Sequence, residues 1–65
     1  MQAAMEMILT MENIETGMES QIHRNPLTGR YHVRLIDKNS GLILPTVYIM
    51  NDIASAKIKA CKIVE

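Results

Sequence analysis

A chain of 65 residues with 48% apolar side chains but no Trp or Phe has room for a single small domain, residues 1–65, whose core must be filled by Ile, Leu, Val, Ala and six Met. Its seven cations and seven acids cancel, which argues against a protein whose main task is neutralising phosphate. The lone Cys61 excludes an internal disulfide and fits a reducing, cytoplasmic setting, and no secretory signal or membrane span is visible, since the apolar start MQAAMEMILTM carries Glu6, lacks a basic flank and is too short to cross a bilayer.

In chain order, Gln2 to Thr16 is expected to form an amphipathic helix. Met1, Ala4, Met5, Ile8 and Met11 follow helical spacing, and Gly17 stands where such a helix would end. A strand is the alternative, because Met5, Met7, Leu9 and Met11 also alternate with Glu6, Ile8, Thr10 and Glu12. Met18 to Arg24 reads as a short strand, and Asn25 to Gly29 as a turn in which Pro26 presets one position and Gly29 takes a positive φ. Placing Ile22 on the apolar face pairs it with Val33 and sets Gln21 opposite Arg34 and His23 opposite His32.

The stretch Gly29 to Met50 predicts a hairpin. Tyr31, Val33 and Leu35 alternate with Arg30, His32 and Arg34, and a loop of Asn39, Ser40 and Gly41 returns the chain. A three-residue loop would set Lys38 against Leu42 and Val33 against Val47, leaving Arg30, His32, Arg34, Thr46 and Tyr48 on the second face. Pro45 lacks a backbone donor, so this last strand belongs at an edge or is bulged there. Asn51 and Asp52 cap a final helix, Ile53 to Val64, with Ile53, Ala56, Ala60, Ile63 and Val64 on its apolar side. The expected architecture is α+β: a helix, a three-stranded antiparallel meander and a C-terminal helix on one sheet face, or ββββα if the first segment is a strand. No internal repeat, linker or low-complexity segment stands out.

The expected binding face carries Gln21, His23, Arg30, His32, Arg34 and Tyr48. Arg and Tyr are enriched at binding hot spots, and Arg also suits phosphate and base edges. Two histidines without a third ligand do not make a metal site, so no metal or cofactor is expected. Cys61 reads as a small core hydrophobe, and no nucleophile, paired-carboxylate or phosphate-loop pattern points to an enzyme. Charge is unevenly placed: Met1 to Ile22 holds four acids and no Lys or Arg, while His23 onward holds seven cations against three acids. Such halves attract each other within one chain or between two.

The order helix, three strands, helix is similar to that of double-stranded-RNA-binding domains, with Ala56 to Cys61 resembling their final helix, although Asn51, Asp52 and Ile53 stand where those domains carry lysines. The portion Gly29 to Val64 also resembles the strands-plus-helix arrangement of phage-integrase arm-binding and plant AP2-type domains. That resemblance implies DNA contact through Arg30, His32 and Arg34. Size, charge balance and the Met-rich apolar excess favour instead a non-enzymatic regulator or inhibitor that docks a larger protein partner, working as a homodimer. A nucleic-acid-binding module using the same face is the alternative.

Overall fold

The computed structural model describes residues 4–65. Four strands, β1 (Glu6–Asn13), β2 (Met18–Arg24), β3 (Tyr31–Asp37) and β4 (Leu42–Met50), form one antiparallel sheet in sequence order, and helix α1 (Ile53–Ile63) follows. The α+β class and the C-terminal helix agree with expectation; the N-terminal helix does not. Its segment is β1, the fourth strand of the alternative arrangement, paired along β2. Met1 and Gln2, where that helix was expected to start, lie outside the described residues.

A bulge explains why β1 is ambiguous in sequence. Met7 lies opposite His23 and Leu9 opposite Ile22, so Ile8 is an extra residue that switches the faces. Met7 therefore points to the same face as His23, whereas Leu9 and Met11 turn inward, where they pack on the core. A strict period of two is broken in the middle of the strand. Pairing with β2 nevertheless outweighs helical spacing, because it satisfies an entire edge of backbone donors and acceptors.

Three turns of one design connect the strands. Asn13, Asn25 and Asp37 each accept, through the backbone carbonyl, the N–H of a glycine four residues on, at 2.9, 2.7 and 2.8 Å. Their side-chain oxygens accept the N–H two residues on, and Thr16, Thr28 and Ser40 accept the N–H of the residue after the glycine. Gly17, Gly29 and Gly41 close the turns at φ 74, 72 and 74°. The sequences Asn-Ile-Glu-Thr-Gly, Asn-Pro-Leu-Thr-Gly and Asp-Lys-Asn-Ser-Gly recur every twelve residues. This is the internal repeat that the sequence reading did not expect. Its signal is chemical rather than apolar: an Asx side chain, a hydroxyl and a glycine at fixed offsets.

The helix packs on the inner face of the sheet. Asp52 caps it, its carboxylate accepting the Ser55 N–H at 2.7 Å and the Ser55 hydroxyl at 3.2 Å. Those bonds, the backbone one first, hold the Asp52 carboxyl below its usual pKa. Ala56 and Ala60, both without solvent exposure, lie against Ile22 and Val33, and these four residues are the fully buried core. Their short side chains let the helix approach the sheet closely. Leu9, Met11, Tyr31, Tyr48, Met50, Ile53 and Ile63 pack around them. At the far end Asn13 Nδ2 donates to the Val64 carbonyl at 2.7 Å, tying the last turn of helix to the first turn of the sheet.

Ser20 is the exception in this core. It sits between Met11 and Leu35, fully buried, and its hydroxyl has no hydrogen-bond partner. An unpaired buried hydroxyl costs more than the contacts it makes. Ser20→Ala is therefore expected to raise unfolding stability by about 1 kcal/mol, measured as a higher urea midpoint at unchanged m-value; a lower midpoint would mean that the hydroxyl has a partner in solution.

Candidate functional site: the open sheet face

Helix α1 covers the inner face, and the outer face stays open. Between β2 and β3 the expected register is observed, with Gln21 opposite Arg34, Ile22 opposite Val33 and His23 opposite His32. Between β3 and β4 it is not. Asp37 pairs with Leu42, making the loop four residues long, and Val33 pairs with Tyr48 and Arg34 with Val47. The cause is the Asp37 turn, whose carbonyl and carboxylate close on Gly41 and Asn39 and draw Lys38 into the loop. A one-residue slip sends every side chain of the strand to the opposite face.

Tyr48 is accordingly not part of the basic face. It packs on the inner side against the core, with Lys59 Nζ 4.7 Å from its ring centroid. Val47 and Ile49, expected on the apolar core face, are instead exposed on the outer face, beside Arg34 and His32. Arg30 lies just before β3, exposed, its carbonyl accepting the Asn25 N–H, one step beyond the paired Arg24 and Tyr31. Pro45 falls in the irregular stretch where the ladder shifts between Arg34 and Ile36, a bulge on an edge strand as its missing donor requires.

The outer face thus consists of three transverse rows. Met7, His23, His32 and Ile49 form the first, Thr10, Gln21, Arg34 and Val47 the second, and Glu12, Glu19, Ile36 and Ile43 the third. The two central strands carry most of the polar groups. Met7, Ile43, Val47 and Ile49 on the outer strands are between 39 and 55% exposed, more apolar surface than solvation alone needs. Sequence reasoning missed these four, although the repeated Asx–hydroxyl–Gly spacing sets the loop length and hence the face of Ile43, Val47 and Ile49; the face of Met7 follows from the bulge at Ile8.

A line of hydrogen bonds runs along the polar strip. Gln21 Nε2 donates to Glu19 at 2.9 Å, which leaves its Oε1 toward His23 Nε2 at 3.1 Å. With the Gln21 amide held this way, His23 Nε2 must carry the proton. Lys38 Nζ closes the line, 3.7 Å from Glu19 and 3.3 Å from Glu12. These contacts join two acids of the first third of the chain to one cation of its remainder. Arg34 forms no ion pair among the described residues, and its Nε is buried without a partner.

Burial first, then the charges of Arg34 and His32, holds the His23 imidazole below its ordinary value of 6.5. The folded chain therefore binds fewer protons than the unfolded chain just below pH 6.5. Stability is expected to be full above that value and to decline as the solution is acidified through the histidine range. His23→Gln should flatten this decline in urea titrations at successive pH values; an equally steep decline would assign the dependence to other groups.

Cys61 is exposed on α1 rather than buried, at a shallow recess shared with Asn13, Ile14 and Val64. No three His, Cys, Asp or Glu side chains converge among the described residues, and no helix there is long and apolar enough to cross a membrane. Compared with protein-family models, with curated proteins and with solved structures, the chain finds no match, so the open face has to be interpreted from its own geometry.

Proposed function

We propose that this protein is a non-enzymatic interaction module that docks a protein partner through the open face of its sheet. The observation that carries the reading is the composition of that face: a central strip of Gln21, His23, His32 and Arg34 with exposed apolar side chains beside it, Met7 on β1 and Ile43, Val47 and Ile49 on β4. Apolar area gives such a surface its affinity, and a few fixed polar groups give it register. The charges along its rows, Arg34 and Lys38 against Glu12 and Glu19, sum to zero with the histidines neutral, and Arg30 at the margin adds a single cation. Lys57, Lys59 and Lys62 belong to the helix on the other side of the sheet. A phosphate backbone would find little to hold, which ranks the nucleic-acid reading second. The free, exposed thiol of Cys61 supports a reducing setting such as the cytoplasm.

Capture from extracts of the native host tests the reading. The wild-type chain should retain a protein that nuclease does not release, and Val47→Glu with Ile49→Glu should lose it. Retention of nucleic acid instead, weakening steeply with salt, would replace this reading by the second.

A further inference from the structure

The docking reading leaves the occupant of the face unnamed. Resting on it, we infer that the occupant is a second copy of this chain, stacked face to face about a two-fold axis parallel to the strands. That rotation lays β1 over β4 and β2 over β3 of the second copy and keeps each transverse row in place. Aligned stacking with a modest twist is a common way for two sheets to meet.

Two of the three rows match, while the third sets Glu12 on the second copy's Ile43 and Glu19 on its Ile36. Met7 falls on the second copy's Ile49, and Thr10 on its Val47. Gln21 falls on its Arg34, and Glu19 arrives over β3 one row, roughly 6.6 Å, from that same guanidinium. Each Arg34, which has no ion pair of its own among the described residues, thereby gains a carboxylate, and symmetry makes the pair twice. Two other self-pairings set like charges together. An axis across the strands would stack Arg34 on Arg34. Edge-to-edge pairing through β1 would meet a strand that has Glu6 and Glu12 and no cation.

Four strands about 23 Å long and about 4.8 Å apart give a footprint of roughly 440 Å². That is below the ~800 Å² per partner of a standard stable interface, so the pairing belongs to the micromolar range or weaker. The first row adds a pH dependence. His23 of each copy lies over the second copy's His32, with Met7 beside it on β1, Gln21 on its own strand, and His32 and Arg34 on β3. No carboxylate occupies that row, so protonation opposes association.

Sedimentation equilibrium of the full chain from about 10 μM to about 1 mM near pH 7.5 is the test. The wild type should pair, and more weakly near pH 5.5. Arg34→Glu and Glu19→Arg should each raise the dissociation constant roughly 10- to 100-fold, while an equimolar mixture of the two restores pairing, because each contact then joins opposite charges. Amide shifts on dilution of the wild type, which need no variant to fold, should be confined to the outer-face rows. A monomer over the whole range, pairing indifferent to both changes, a mixture of folded variants that stays monomeric, or dilution shifts centred on α1 would each overturn self-pairing. A monomeric chain that loses its captured protein on Arg34→Glu overturns self-pairing alone; capture indifferent to Arg34→Glu, Val47→Glu and Ile49→Glu overturns the docking reading too.

Discussion

Ile22→Ala is expected to cost about 3 kcal/mol. Ile22 has no solvent exposure, and with Val33, Ala56 and Ala60 it makes up the fully buried apolar cluster. Truncating it removes buried methyl groups and leaves a hole that two alanines on the facing helix cannot fill. A domain of this size has a total stability of roughly 3–10 kcal/mol, so one such loss consumes a third of it or more. Urea denaturation followed by circular dichroism reads the change directly. A loss under about 1 kcal/mol would mean that the helix settles into the space, and that close packing of Ala56 and Ala60 is less decisive than their burial implies.

The second large effect separates two glycines that share a conformation. Gly17 and Gly41 both sit at φ 74°, where an L side chain costs roughly 1–2 kcal/mol. Gly41 has open space where a Cβ would stand, whereas at Gly17 the added carbon would lie 2.5 Å from Nδ2 of Asn39. That amide donates to the Thr16 carbonyl at 3.3 Å and would have to give up its position. Gly41→Ala is therefore expected to cost about 1–2 kcal/mol and Gly17→Ala about 1 kcal/mol more. Adding Asn39→Ala should remove most of the difference. Equal costs in the parent chain would show that Asn39 swings aside freely.

How far the fold could be read in advance depended on whether strand alternation and turn chemistry pointed the same way. For β2 and its pairing with β3 they did: Ile22 and Val33 occur at the right phase on either side of the Asn25–Gly29 turn, so Gln21, His23, His32 and Arg34 were placed together correctly. The C-terminal helix was equally clear, since Asp52 precedes a segment with Ala56 and Ala60 at helical spacing. The first strand was obscured because Ile8 is an inserted residue, and an alternation interrupted by a bulge resembles helical spacing. Counting Lys38 into the strand puts Tyr48 on the wrong face, whereas Asp37 has the same role that Asn25 performs in the preceding turn.

The spacing of Asn13, Asn25 and Asp37 also limits how relatives of this chain can differ in length. Moving along by one unit of twelve residues reverses the direction of travel and exchanges inward for outward: Ile22, sealed in the interior, is succeeded at that interval by Arg34. Two units restore both properties, as Leu9 and Met11 are succeeded by Val33 and Leu35. Growth by a single unit would deliver the terminal helix to the wrong end of the sheet with its greasy side unmatched. Viable insertions or deletions should therefore come in pairs of units, and a library of lengthened chains selected for solubility would show that even-numbered preference.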